Sequence, residues 1–374
     1  MLRNKTFHPF EIALCGYSGA GKTSLIEKLI RLLAPQYAIG HVKHDAHQFT
    51  MDHEGKDTWR ALQAGAQQIF IHNDHKWAQI GQQQSNPHDI KTQILNLDFV
   101  LVEGHKNTPL EKIIVLGEGQ SKADILQDFA HKSKKSLQNV LAFVGVAPTP
   151  DFDLAGSAYF QRDQIREIAA FILATFTAQA AQNPLYGLVL AGGRSRRMGR
   201  DKAALSYHQR NQTAYLSNLL KKFCQETFIS CRKEQAREKH LIDEQQIHDQ
   251  FADLGPMGGI LSAFKTHPHA SWLVIACDLP FVDEAMLQQL IKQRHPFKVA
   301  TCFKNSEQGW PAPLCTVYEP KAYARLLQFF AQGYHCPRKM LMNSAIFEIP
   351  CATENGLKNA NTPADYAAFK GLVL

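Results

Sequence analysis

Two stretches of this chain place glycine and fixed positive charge just where an apolar run ends, and that combination suits phosphate. The first is Gly16-Tyr-Ser-Gly-Ala-Gly-Lys-Thr23, directly behind Glu11 to Cys15. The second begins with Leu188, Val189, Leu190 and Ala191, turns at Gly192 and Gly193, and then carries Arg194, Arg196, Arg197, Arg200 and Lys202. Glycine has no Cβ, so backbone N–H groups can approach an anion closely, while guanidinium and ammonium groups neutralise it. Cations crowded on a turn repel one another unless an anion sits among them. Two carboxylates complete the chemistry, Glu103 and Asp278, each at the end of a strongly apolar run. A carboxylate at the mouth of a parallel strand can hold Mg2+ against phosphates.

The elements that position the first stretch follow from pattern. Glu11 to Cys15 predicts a strand and Ser24 to Leu33 a helix, which gives the spacing G-x-x-x-x-G-K-[ST] of a phosphate-binding P-loop its required context. Gly16, Gly19, Ala20, Gly21, Lys22 and Thr23 are then the nucleotide-binding residues. Backbone N–H groups from Gly19 to Thr23 would face the phosphates at a helix N-terminus, Lys22 would reach the outer phosphates, and the Thr23 hydroxyl would take Mg2+. Downstream, Ala38 to Lys43 reads as a strand that enters a loop with His44, Asp45, His47, Asp52, His53 and Asp57. That spacing fits no zinc template. It suits either a Mg2+-associated switch-like loop or an exposed polar loop. Thr58 to Ala64 reads as helix, Gln68 to His72 and Asp98 to Val102 as strands, and Glu103 would hold the Mg2+ shell or orient a water. Strands over Lys112 to Leu116 and Val140 to Val146 follow, then a helix over Gln161 to Phe176.

In the second half, Thr213 to Phe223 reads as helix, Thr227 to Ser230 as strand, Ile260 to Lys265 as helix and Trp272 to Ala276 as a buried strand ending at Asp278. Asp249 and Asp253 precede the glycine-rich run that leads into Ile260. A carboxylate there can accept from the N1–H and N2–H2 of guanine, groups adenine does not present in that arrangement. Asp253 also fits a turn cap. Arg338 and Lys339 suit either a ligand phosphate or a solvated basic helix start.

At 374 residues the chain exceeds the size at which one core stays economical, and two domains are expected. The small and polar run Thr177 to Pro184 reads as the linker, giving residues 1–176, a linker 177–184 and residues 185–374. The expected fold class is α/β in both halves: a P-loop NTPase-like sheet, then a Rossmann-like sheet. Hydrophobic residues at 45% and charged residues at 20% exclude a disordered or fibrous chain. A formal charge of +7 leans toward anionic ligands, but no long Lys/Arg run or basic aromatic stripe points to nucleic acid. Eight cysteines without a Cys-x-x-Cys pair suggest a reducing cytoplasm. With neither an apolar leader nor a membrane-length apolar run, the expectation is a cytoplasmic protein without a membrane partner.

The run Leu190, Ala191, Gly192, Gly193, Ser195, Arg197, Met198, Gly199, Asp201 and Lys202 resembles the signature of the nucleotidyltransferases that attach a nucleotide to molybdopterin. The P-loop, Val42 to His44, Gly55 to Asp57, Ala64 to Ala66 and Leu101 to Lys106 resemble MobB, the small GTP-binding protein that accompanies molybdopterin guanylylation; this likeness spans about Glu11 to Phe176. Trp310 to Tyr318 and Asn359-Ala-Asn-Thr-Pro363 resemble the transferase family's pterin-side strand and C-terminal motif. The resemblance implies Leu190 to Gly193 and Asp249 as nucleotide contacts, Lys202, Arg197 and Asp278 as catalytic, and Asp278 as the Mg2+ ligand. It implies Mg2+, GTP as substrate and Mo-molybdopterin as acceptor. It also implies partners among molybdenum insertion proteins, apo-molybdoenzymes and their chaperones, and a homodimer through the N-terminal half. Where some relatives carry Asn at the end of the Thr227 to Ser230 strand, this chain has Ser230, which is left off the site. Three rivals stay open: a cytidylyltransferase for the same pterin, a branch that tends to carry Ala in place of Gly192; a sugar-1-phosphate nucleotidyltransferase; and a nucleotide-dependent adaptor that hands cofactor to apo-enzymes.

Overall fold

The computed structural model describes residues 7–43, 51–81, 87–105, 108–117, 138–146, 156–192, 207, 211–238, 241, 244–251, 253–305, 309–351, 353 and 355–370. The chain divides into two compact units, Leu2–Leu95 with Phe99–Ala170, and Asn96–Asp98 with Phe171–Leu374.

The strands of the first unit are β1 (Glu11–Cys15), β2 (Ile39–Lys43), β3 (Gln68–His72), β4 (Trp77–Gly81), β5 (Phe99–Glu103), β6 (Lys112–Val115), β7 (Val140–Gly145) and β8 (Ala158–Gln161). Six of them make an all-parallel sheet in the order β2-β5-β1-β6-β7-β8. β1, β5 and β6 are buried at every position, as strands covered on both faces must be. The helix α1 (Lys22–Leu33) turns Leu25, Ile26, Leu29 and Leu33 inward, the spacing of one helical face. Because β1 lies between β5 and β6, the winding reverses at its carboxyl end, which opens a crevice there. β3 is not part of this sheet: it pairs antiparallel with β4, closed by a turn in which Asn73 Oδ1 accepts from the His75 and Lys76 N–H groups.

The second unit holds β9 (Leu185–Leu190), β10 (Glu226–Cys231), β11 (Gln246–His248), β12 (Ser271–Ala276), β13 (Ala300–Lys304), β14 (Pro311–Tyr318) and β15 (Ile346–Pro350). Their order is β11-β10-β9-β12-β14-β13-β15. β9 to β12 are mutually parallel, β14 runs against both β12 and β13, and β15 is parallel to β13. Alternation sorts the core into two layers. Leu188, Leu190, Trp272 and Val274 join Met257, Ile260 and Phe264 on one face, and Val189, Leu273 and Ile275 join Leu216, Leu220, Met286 and Leu290 on the other.

Both halves are therefore α/β, but the segment between them departs from expectation. Residue Gln161 ends β8, and the helix that follows runs from Ile165 to Ala181, past Phe176 and through most of the expected linker. Thr177-Ala-Gln-Ala-Ala is rich in alanine, the best helix former, and Phe176 and Ala180 are buried. All eight cysteines are free thiols, and burial pushes Cys231 up to about 11 and Cys302 up to about 12, as befits inert core residues. Among the described residues no helix is long and apolar enough to cross a membrane.

Candidate functional site

In the second unit the site lies at the carboxyl ends of β9 to β12. Leu190 and Ala191 are still part of the sheet: the Leu190 carbonyl accepts from Cys277 N–H at 3.1 Å, and Ala191 N–H donates to the Ser230 carbonyl at 2.9 Å. Gly192 is the first residue beyond it, beside the end of β10, where an added Cβ would stand 3.6 Å from the Arg232 nitrogen. That is ordinary contact, so an alanine fits there. Gly193, Arg197 and Lys202, with the rest of the basic run 193–206, lie outside the described residues.

Asp278, two residues beyond β12, is half-buried. The C-terminal motif clamps it: Asn359 Nδ2 donates to Asp278 Oδ1 at 3.1 Å, and Ala360 N–H donates to the Asp278 carbonyl at 2.8 Å. The side chain is thus aimed by a residue 81 positions away. One carboxylate, joined by the oxygens of a phosphate ligand, would be an ordinary donor set for Mg2+. Tyr207 is buried near it, edge-on to Tyr366 at 5.0 Å between ring centroids.

Asp249 follows β11. Its Oδ1 accepts from Phe251 N–H at 2.9 Å and from the Ser262 hydroxyl at 3.4 Å, and burial, only partly offset by those bonds, raises its pKa. The glycines beside it serve packing. A Cβ on Gly258 would meet Asp249 Oδ2 at 2.8 Å and Oδ1 at 2.9 Å; one on Gly259 would meet Ser230 Oγ at 2.5 Å. The helix Pro256–Thr266, longer at its start than Ile260 to Lys265, can press its first turn onto the strand ends only because both residues lack side chains. Ser230 is buried under that helix, and Asp253 and Gly255 shape the turn before it with φ of 57° and 56°. Adjacent strands lie ~4.8 Å apart, so the ends of β11 and β12, three strands away from each other, place Asp249 and Asp278 roughly 14 Å apart across the sheet.

In the first unit the loop Gly16 to Thr23 joins β1 to α1 as expected. A Cβ on Gly16 would run into the Val115 carbonyl, and Gly19 and Gly21 have φ of 75° and 87°, so both glycines of the spacing, and Gly19 between them, are positions that require glycine. Ala20 is buried beneath the loop. Lys22 Nζ donates to the loop's own carbonyls, Tyr17 at 2.6 Å and Gly16 at 3.2 Å. The Thr23 hydroxyl donates to Glu103 Oε1 at 2.9 Å. Glu103 is buried, and its Oε2 has no hydrogen-bond partner among the described residues. A hydroxyl beside a buried carboxylate oxygen that lacks a donor fits a small hard cation. His41 Nε2 stands 3.6 Å from Oε2 and Lys43 Nζ 4.0 Å from Oε1. Of the polar loop, His44, Asp45 and His47 lie outside the described residues, while Asp52 Oδ1 accepts from the Thr58 hydroxyl in the first turn of the helix Asp57–Gln63. Among the described residues no group of three or more His, Cys, Asp or Glu could by itself hold a metal.

Sequence reasoning missed the tie from Asn359 to Asp278, although its motif had been singled out. It also missed Arg232, whose Nε is held by Gln235 Oε1 at 3.2 Å beside Gly192. Arg338 and Lys339 begin the helix Pro337–Met342, and Lys339 Nζ lies 5.3 Å from the Tyr334 ring centroid.

Comparison with known proteins agrees with this division. Residues 11–144 match the family described as molybdopterin guanine dinucleotide synthesis protein B, and residues 187–345 match the MobA-like NTP transferase domain. A molybdenum cofactor biosynthesis bifunctional protein of Synechocystis is 40% identical over 193 residues, 50% of this chain and 54% of its own length. A molybdopterin-guanine dinucleotide biosynthesis adapter protein of Haemophilus influenzae is 38% identical over 28% of this chain and 61% of its own. In both cases the matched region spans little more than half of the relative. A probable molybdenum cofactor guanylyltransferase of Synechococcus elongatus is 32% identical over 49% of this chain and 96% of its own. The chain belongs to the molybdenum cofactor guanylyltransferase family, with a MobB domain preceding the transferase domain.

Proposed function

We propose that the chain transfers GMP from GTP to Mo-molybdopterin, forming the guanine dinucleotide cofactor and pyrophosphate, and that its MobB domain binds GTP and hydrolyses it slowly. The observation that carries this reading is the row of groups at the ends of four adjacent parallel strands: Asp249, Arg232, Gly192 and Asp278. Guanine goes at Asp249, the triphosphate along the loop that starts at Gly192, and the reacting end at Asp278.

In the reaction an oxygen of the pterin's terminal phosphate attacks the α-phosphorus in line, and the bond to the bridging oxygen breaks so that pyrophosphate leaves with its electron pair. The protein's work is positioning and charge stabilisation. Arg197 and Lys202 neutralise charge on the triphosphate and leaving group, and Asn359 keeps the Asp278 carboxylate aimed. Asp278 would hold Mg2+ at this site, and Thr23 with Glu103 at the P-loop; in each place the ion would neutralise phosphate charge. Molybdenum insertion proteins, apo-molybdoenzymes and their chaperones are the proposed protein partners, with a homodimer through the MobB domain and the cytoplasm as location.

The test is pyrophosphate release from the purified chain with molybdopterin, Mg2+ and either GTP or CTP. Release with GTP and much less with CTP is expected. No release overturns the transferase reading, and equal rates overturn the guanine assignment.

A further inference from the structure

We infer that Arg162 is a second nucleotide-binding cation of the P-loop, contacting the inner phosphates of a bound nucleoside di- or triphosphate from the side away from Glu103. The inference rests on the P-loop being a GTP site, as proposed above.

Arg162 stands one residue past β8 and outside the 11–144 span of the family match. Its backbone is fixed to the sheet, since its N–H donates to the Gly145 carbonyl at the end of β7 at 2.9 Å. From there the side chain reaches back across β6, where Nη2 donates to the Leu116 carbonyl. Nη1 ends against the P-loop itself: a Cβ built on Gly21 would lie 3.6 Å from it. Gly21 caps α1, so the guanidinium sits beside the N-terminus whose free N–H groups face a bound phosphate.

Two further observations show that this cation is unfinished. It forms no ion pair among the described residues, and its Nε is buried with no hydrogen-bond partner. A guanidinium has five N–H donors, and only an anion satisfies both its charge and its unused donors. The ligand's direction follows from the strand order. Glu103 and Thr23 mark the β5 side of β1, where metal and outer phosphate belong, while Arg162 lies on the β6 side. The ends of β5 and β6 are roughly 10 Å apart, so one nucleotide bridges them with its inner phosphates nearer Arg162. A purely structural clamp, tying β8 to β6 through Leu116, is the competing account.

The experiment measures affinity of the full chain for fluorescent GDP and GTP analogues, together with Tm, in Arg162→Gln, Arg162→Lys and Lys22→Ala. Arg162→Gln should lose on the order of ten- to a hundredfold in affinity for GDP and GTP alike, the range of a charge-assisted hydrogen bond, with Arg162→Lys in between. A lower Tm with affinities within about twofold of the parent means a clamp and overturns the inference. Loss for GTP but not GDP overturns the inner-phosphate assignment. If the parent chain binds neither nucleotide, or Lys22→Ala binds both unchanged, the P-loop reading has failed instead. Should Arg162→Gln not fold, phenylglyoxal labelling of the parent chain decides: GDP must protect Arg162 from modification, and equal labelling with and without GDP overturns the inference.

Discussion

A single methyl group on Gly259 tests whether close helix-to-strand packing builds the transferase site. In Gly259→Ala the new Cβ would stand 2.5 Å from Ser230 Oγ, 2.8 Å from Leu190 Cδ2 and 3.3 Å from Ser230 Cβ. Both neighbours are buried members of the central strands, so relief requires the helix Pro256–Thr266 to move outward. Overpacking of this kind typically costs ~1–3 kcal/mol, while alanine in place of glycine inside a helix returns up to ~1 kcal/mol. The net expectation is a destabilisation of about 1–2 kcal/mol, or a Tm lowered by roughly 2–8 °C for a unit of this size. Calorimetry following the C-terminal transition is the assay, because two units need not unfold together. Adding Ser230→Ala removes the closest atom and should recover part of the loss, a coupling on the order of 1 kcal/mol. An unchanged Tm in Gly259→Ala, or no recovery in the double variant, would refute the packing argument.

Three further outcomes are expected. Asp278→Asn should lower guanylyl transfer on the order of a hundredfold or more while the fold survives, and near-normal pyrophosphate release at saturating Mg2+ would mean the charge is held elsewhere. Lys202→Ala should stop transfer, whereas Lys22→Ala should remove GTP hydrolysis and lower transfer less than about tenfold, since the P-loop suits attack at the γ-phosphorus and not the α; equal loss of transfer in the two variants would show one obligatory machine. Burial raises the Asp249 pKa, so its cost to stability is present while the carboxylate is ionised and fades as pH falls toward ~4, the ordinary carboxylate value. Asp249→Asn should therefore raise the Tm at pH 7, with the gain shrinking toward that pH, and should erode the preference for GTP over CTP; a lower Tm at pH 7 would contradict the burial argument.

What the sequence made legible was whatever local pattern determines. β1, β5, β9 and β12 are continuous apolar runs because both faces are covered, and the two glycine loops stand out because nothing else breaks such runs that way. Boundaries governed by tertiary contact were not legible. Gln161 reads as the start of a helix but ends the edge strand β8, which pairs with β7 from Ala142 to Gly145. Thr177 to Ala181 reads as linker because alanine and glutamine are small or polar, yet the same residues are good helix formers once Phe176 and Ala180 are buried. A glycine in the sequence says that a side chain is unwelcome, not what would be in the way: for Gly16 it is the Val115 carbonyl, for Gly258 the Asp249 carboxylate, and for Gly192 nothing closer than 3.6 Å.

The two halves build their sites on a shared plan. Each uses a glycine loop leaving a central strand and a carboxylate from a strand hydrogen-bonded to it: Glu103 pairs with Leu14 of β1, and Asp278 follows Ala276, the partner of Leu190 in β9. Parallel register alone therefore brings loop and carboxylate within about one strand spacing, ~4.8 Å. Register does not aim the carboxylate. In the MobB domain the Thr23 hydroxyl, in the first turn of the loop's own helix, donates to Glu103, 80 residues away. In the transferase domain Asn359 Nδ2 donates to Asp278 Oδ1, 81 residues away. In both domains, therefore, strand register sets how far the carboxylate lies from the loop, and a contact of long sequence separation sets its direction.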